Sequence, residues 1–339
     1  MAETLKNAML LTEYYYEADI PTYWHGPPGV GKSQGFKQLA AHLGKKHGKK
    51  FGFKDLRLSN KLPEDISGIP VPDLEARMAV WLKAEFWPNK ERDGEYGILL
   101  FDELSDANKA LQSCAYQIIL DRKVNDFELP KGWWPCAAGN RREDRAAAQT
   151  LSTALANRFA HIEIVPDPKA WVEWANRNDV NPLVTGFINF RPEQLHKLEG
   201  ASDLLRFPTP RTWVSVAKVM DAPADLRHRL VENLVGSGAA GEFKAYMDAL
   251  DLPSIEEVIK DPKRCPIPTK PASKYAMSSM LSRYADRKNL GAIVTYIGRK
   301  EFGRDFEVVC MLDAVHREMA LCDTNAWIEW ANRNKDIHL

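Results

Sequence analysis

The feature that most constrains this chain is Gly26-Pro27-Pro28-Gly29-Val30-Gly31-Lys32-Ser33, which satisfies the pattern GxxxxGK(S/T). It follows a short apolar run, Tyr23 to His25, and opens an amphipathic helix with Phe36, Leu39, Ala40 and Leu43 on one face. That helix is expected to stop at Gly44. A strand, a glycine-rich turn and a helix N-terminus in this order make a phosphate cradle. The glycines let backbone N–H groups wrap the anion, and the helix dipole favours negative charge. Gly26, Pro27, Gly29, Val30 and Gly31 would then form the binding loop, Lys32 would reach the β- and γ-phosphates, and Ser33 would ligate Mg²⁺. The bland alternative is a glycine-rich turn with an incidental lysine, and the strand-to-helix context weighs against it.

A matching element stands about seventy residues on, at Ile98-Leu99-Leu100-Phe101-Asp102-Glu103. A buried strand there delivers two carboxylates at its carboxyl end. Asp102 suits the Mg²⁺ shell and Glu103 the polarisation of an attacking water. Strands followed by acids are common, since loop starts favour them, so this signal gains its weight from the phosphate loop.

The rest of the first half reads as short apolar runs alternating with helices, the pattern of an α/β core in which helices flank a parallel sheet. Further strands are expected at Asp55 to Ser59, Cys136 to Ala138 and His161 to Val165, a helix at Ser105 to Asp121, and a hairpin arm at Lys123 to Leu129. Pro135 is expected at the very start of its strand, because proline cannot donate within a central one. Beyond Pro166 the periodicity is helical, over Trp171 to Asn176, Trp213 to Met220, Ala224 to Val235 and Gly241 to Leu250. Prolines 262, 266, 268 and 271 predict a stiff connector. The expected division is an α/β nucleotide-binding core at 1–165, a linker and all-helical lid at 166–261, and a C-terminal helical region at 262–339. The segment Ala-Trp-Val-Glu-Trp-Ala-Asn-Arg-Asn at 170–178 returns at 326–334 with Ile for Val. Either both are core helices, or both dock on neighbouring subunits.

Lys+Arg and Asp+Glu both number 46, so no surplus charge advertises a nucleic-acid binder. The basic tract Lys45 to Lys54, with Phe51 and Phe53, reads as a solvated loop more readily than as a nucleic-acid patch. Five scattered cysteines without CxxC spacing fit neither a disulfide scaffold nor a zinc site, and suggest a reducing cytoplasm. Eight histidines form no HExxH. No run of eighteen apolar residues predicts a membrane span.

Taken with four further stretches, the two phosphate-site motifs resemble those of the AAA+ ATPases, and within them the MoxR-like group. The stretches are Leu62-Pro63-Glu64-Asp65-Ile66-Ser67-Gly68, Gln112 in the helix after the acidic strand, Ala154-Leu155-Ala156-Asn157-Arg158-Phe159, and Pro208-Thr209-Pro210-Arg211. Together they span roughly residues 20–215. The resemblance implies a sensor 1 role for Asn140, an arginine finger acting on the adjacent subunit at Arg158, and sensor 2 at Arg211. Arg141, Arg142 and Arg145 lie close to the expected interface and compete with Arg158 for the trans role. It further implies Mg²⁺-dependent ATP hydrolysis by a ring, a hexamer by analogy, that remodels a protein partner, with a von Willebrand factor A domain protein as one candidate. Moving elements would be the hairpin arm at 123–130 and the insertion around 65–90. A nucleic-acid motor or loader, or a nucleotide-gated structural switch, are the alternative readings.

Overall fold

The computed structural model describes residues 2–141, 151–198 and 205–337. The chain forms two compact units, Met1–Pro166 and Asp167–Leu339.

The first unit is built on six strands: β1 (Ala2–Glu3), β2 (Thr22–His25), β3 (Phe51–Arg57), β4 (Tyr96–Asp102), β5 (Gly132–Gly139) and β6 (Ala160–Ile164). They lie in the order β1-β6-β2-β5-β4-β3, with every pairing parallel. Parallel strands need crossovers, and these cover both faces of the sheet. Helices α1 (Leu5–Glu17) and α2 (Lys32–His47) contribute to one face, and α3 (Lys109–Asp121) to the other. Because side chains alternate along a strand, Ile98 and Leu100 join Trp24, Trp134 and Cys136 under Phe36 and Leu39. Leu99 and Phe101 point oppositely, joining Tyr23, Trp133 and Ala137 under Leu111, Ala115 and Ile118. Burial on both sides is why β4 reads as an unbroken apolar run.

Three local expectations are corrected. Helix α2 does not stop at Gly44 but at Gly48, which takes the left-handed conformation of a C-cap (φ 61°). Gly44 lies inside the helix where the chain turns back, and a Cβ there would stand 3.1 Å from the Phe51 Cβ. Lys45, Lys46 and His47 are therefore the last helical turn, where cations suit the dipole, and not a loop. Lys46 bonds Glu13 (2.5 Å) and Glu17 (2.6 Å) of α1. Secondly, α3 begins only at Lys109, capped by the Asn108 side chain, after a 3₁₀ turn at Leu104–Asp106. Thirdly, Pro135 sits inside β5, opposite Leu99 of β4. It is tolerated because β2, on the other side, supplies partners only from Ala137 onward, so there is no ladder there to interrupt.

Two antiparallel hairpins interrupt the alternation. One pairs Ile69–Asp73 with Met78–Leu82, and the other pairs Lys123–Val124 with Phe127–Glu128 directly after α3. The tip of the second holds the first: Asn125 Nδ2 donates to the Ser67 carbonyl (2.8 Å), and the Trp81 N–H donates to the Asp126 carboxylate (2.7 Å). The first hairpin keeps its apolar side chains in solvent, with Leu74 85%, Ile69 63% and Met78 59% exposed.

The described residues of the second unit contain helices and turns and no strand. One apolar cluster gathers Trp171, Phe187, Trp213 and Phe243, and another Met277, Ile293, Met311 and Trp330. The run Ala224–Ala249 is two helices abutting at Gly236, whose φ of 81° and ψ of 164° are not helical. A Cβ there would lie 2.6 Å from the Arg206 carbonyl oxygen. Pro182–Phe190 is a helix that the sequence pattern does not reveal, because nine residues are too few for its apolar positions, Leu183, Val184, Phe187 and Ile188, to show more than one repeat. Its Asn181 cap followed by proline at the first helical position was the available signal. The proline-rich segment is packed: Tyr296 Oη donates to the Pro266 carbonyl (2.8 Å), and Cys265 is buried. In the repeated segments Trp171, Trp327 and Trp330 are all buried within this unit, so core packing accounts for their spacing.

Candidate nucleotide-binding site

The carboxyl ends of three neighbouring strands, β2, β5 and β4, lead into the loop at 26–31, Asn140 and the pair Asp102-Glu103. Adjacency in the sheet brings together residues separated by up to about a hundred positions in sequence. Such strand ends are where open α/β sheets bind ligands.

The loop's conformation depends on glycine at two places. Gly29 and Gly31 have φ of 80° and 96°, accessible at little cost only without a Cβ. Gly31 is the N-cap of α2, and no side chain caps that end or places an acid in its first turn. By contrast Thr4 caps α1 and Asn108 caps α3. The first-turn donors of α2 have no side-chain cap there, as an anion site requires.

Lys32 is buried, and its Nζ donates to the carbonyls of Gly26 (2.7 Å) and Pro27 (3.1 Å) and to Asn140 Oδ1 (3.1 Å). The Ser33 hydroxyl donates to Asp102 Oδ2 at 2.5 Å, while Asp102 Oδ1 accepts the Glu103 N–H at 2.9 Å. Hydroxyl and carboxylate oxygens facing one another are the hard donors that Mg²⁺ takes. Asp55 on β3 adds negative charge: burial, then the carboxylate of Asp102, holds its pKa above the usual carboxylate range. A divalent cation would relieve that repulsion, so the donor set fits the group.

Glu103 adopts the left-handed region (φ 57°), an uncommon state for a residue with a side chain and one that recurs at functional turns. Its carboxylate accepts a short hydrogen bond from the Ser59 hydroxyl. Asn140 is held by its N–H to Ser105 Oγ (3.0 Å) and by its Nδ2 to Asp106 Oδ2 (3.2 Å). Gln112 donates to the carbonyls of Leu104 (3.4 Å) and Ala107 (3.1 Å), pinning the turn after Glu103 onto α3.

The arginines are distributed otherwise. Arg158 is exposed on the turn before β6, and no bond described here joins it to the residues above. Arg141 pairs with Glu163 of β6 at 2.7 Å. Arg142 and Arg145 lie outside the described residues. Arg211 belongs to the second unit, exposed in the first turn of Pro210–Lys218. Sequence reasoning missed Ser59, Ser105 and Asp106. The only available signal was that Ser105 and Asp106 lie within three residues after the two acids.

No family profile and no curated protein matches the chain. Among solved structures it is similar to NtrX from Brucella abortus in complex with ATP, at 12% identity over 91% of this chain and 69% of that one (TM-score 0.40). Another structure of the same protein gives 14% identity over the same shares (TM-score 0.35). A mutant of RuvB from Thermotoga maritima matches at 14% identity over 77% of this chain and 73% of its own (TM-score 0.35).

Proposed function

We propose that this chain is a Mg²⁺-dependent ATPase of the AAA+ class, MoxR-like, which works as a ring and remodels a protein partner. The single observation that carries the reading is the convergence of Lys32, Ser33, Asp102, Glu103 and Asn140 at three adjacent strand ends. The uncapped N-terminus of α2 and Lys32 bind and neutralise the β- and γ-phosphates. Ser33 and Asp102 would hold Mg²⁺, which when bound would supply charge neutralisation to the phosphoryl group. Glu103 takes a proton from the attacking water and Asn140 orients that water. Arg158, exposed, acts on the nucleotide of the adjacent subunit in what we take to be a hexamer. Arg211 reports nucleotide state to the helical unit.

The work is done by the two linked hairpins, and the apolar first hairpin is the surface that engages a protein partner, a von Willebrand factor A domain protein among the candidates. A second reading, a nucleotide-gated switch with slow turnover, is favoured by one observation: the Glu103 carboxylate is already engaged by Ser59.

Turnover against protein concentration, with molar mass by light scattering, separates the two readings. For the ring, specific activity rises with assembly and Arg158→Ala abolishes turnover without changing mass. Activity indifferent to both concentration and Arg158 leaves the switch.

A further inference from the structure

We infer that Asp106 is a positioning residue whose carboxylate, itself held by Ser105, fixes which end of the Asn140 amide faces Lys32. The inference rests on the ATPase reading above and deepens it.

A side-chain amide can point two ways, donor or acceptor first. Here its neighbours decide. Asp106 Oδ2 receives Asn140 Nδ2 at 3.2 Å, and Lys32 Nζ donates to Asn140 Oδ1 at 3.1 Å. An ionised carboxylate can only accept and an ammonium can only donate, so both flanking charges select the same orientation. The result is a carbonyl oxygen turned toward the phosphate loop. That oxygen is the acceptor able to hold a water for attack.

Asp106 is itself set in place from behind. Ser105, 3% exposed, donates to Asp106 Oδ1 at 3.1 Å and accepts the Asn140 backbone N–H at 3.0 Å. The Tyr23 hydroxyl lies beside Ser105, both reaching the space next to Gly139. A serine hydroxyl has one hydrogen, and the Asp106 carboxylate takes it, so Ser105 can only accept from its other neighbours. Burial pushes the Tyr23 pKa up to about 12, so that hydroxyl keeps its proton at working pH. Gly139 makes room for both. A Cβ there would stand 2.1 Å from Tyr23 Oη and 2.7 Å from Ser105 Oγ, so no larger residue fits without displacing the two hydroxyls. Direction thus passes from the turn after Glu103 to the amide and back to the phosphate loop.

The test compares kcat and KM for wild type, Asp106→Ala, Asp106→Asn, Asn140→Ala and the double variant Asp106→Ala/Asn140→Ala. Positioning predicts that both Asp106 variants lose about tenfold in kcat with KM moved less than about twofold. The isosteric Asp106→Asn separates this loss from a folding defect. The double variant should be no slower than Asn140→Ala alone, because Asp106 has nothing left to orient. Unchanged kcat in Asp106→Ala, or losses that multiply in the double variant, overturn the proposal. The ATPase reading has its own control: wild type without turnover, or Lys32→Ala as fast as wild type, removes that reading. In that event the side-chain amide signal of Asn140, in asparagine-labelled protein, decides the positioning proposal by itself. A resolved, shifted NH₂ pair that collapses to free-amide values in Asp106→Ala sustains it, and an unchanged signal overturns it.

Discussion

The two units of this chain use buried polar groups in opposite ways. In the α/β unit they gather at strand ends: buried Lys32, Asp102 and Ser105, together with half-buried Asn140, have partners that belong to one site. In the helical unit they are dispersed among packed helices. Asp313 is 7% exposed, and its Oδ2 and the amide Nδ2 atoms of Asn176 and Asn189 make no hydrogen bond of good geometry among the described residues. A parallel sheet collects loop starts along one edge, whereas helix ends scatter over a surface. Chemistry therefore concentrates in the first unit, and cost without evident chemistry in the second.

The comparison breaks if the first unit does not carry turnover. Glu103→Gln should reduce it by at least about two to three orders of magnitude, read in a steady-state phosphate-release assay, since a neutral amide cannot take the water's proton. Turnover within tenfold of wild type would refute the assignment.

It sharpens if the polar cost in the second unit can be measured. Burial raises the Asp313 pKa to about 7, opposed in part by the amides of Asn176 and Asn189 and reinforced by Glu173. The neutral carboxyl is thus the form that fits the fold. Its folded pKa lies above the unfolded value, so its stability contribution is complete below about pH 4 and is lost as pH rises through about 7. Asp313→Asn should remove this slope and gain up to about 4 kcal/mol relative to wild type at alkaline pH. Parallel urea-denaturation curves for the two proteins from pH 5 to 9 would contradict it.

A smaller effect is expected at Gly236. Alanine there must accept a positive φ and meet the Arg206 carbonyl, so Gly236→Ala should cost about 1–3 kcal/mol in thermal unfolding. It should leave ATP affinity unchanged. A stabilised variant would mean that the two abutting helices can merge into one.

The smallest effect probes the first unit again. Ser59→Ala removes the hydroxyl that engages Glu103, a contact of about 1 kcal/mol net, and should raise turnover severalfold. A fall in turnover would show that Ser59 assists Glu103 instead of restraining it.

What could be read from the sequence follows the same division. The apolar run of β4 and the loop at 26–33 are legible because each is set by local constraints: burial on both faces in one, backbone conformation in the other. Gly44, Pro135 and Ser59 were not legible, because their roles depend on which strand or turn lies alongside. Gly44 looks like a helix stop until the returning chain at Phe51 is seen. Pro135 looks excluded from a central strand until the late start of β2 is known. Ser59 meets Glu103 across 44 positions of sequence, a distance no local pattern spans. In the second unit Pro182–Phe190 hides for a different reason: nine residues are too few to establish a helical period.

The joining of the two hairpins has a mechanical consequence. With Asn125 and Asp126 fastened to the chain at Ser67 and Trp81, the two ribbons are tied to each other just beyond the end of α3. At 13 residues that helix is a stiff rod about 20 Å long. Gln112 clamps its other end to the turn after Glu103. A rotation of the turn after Glu103 would be carried along α3 and enlarged at Leu74 in proportion to the length of that helix plus the reach of the ribbon.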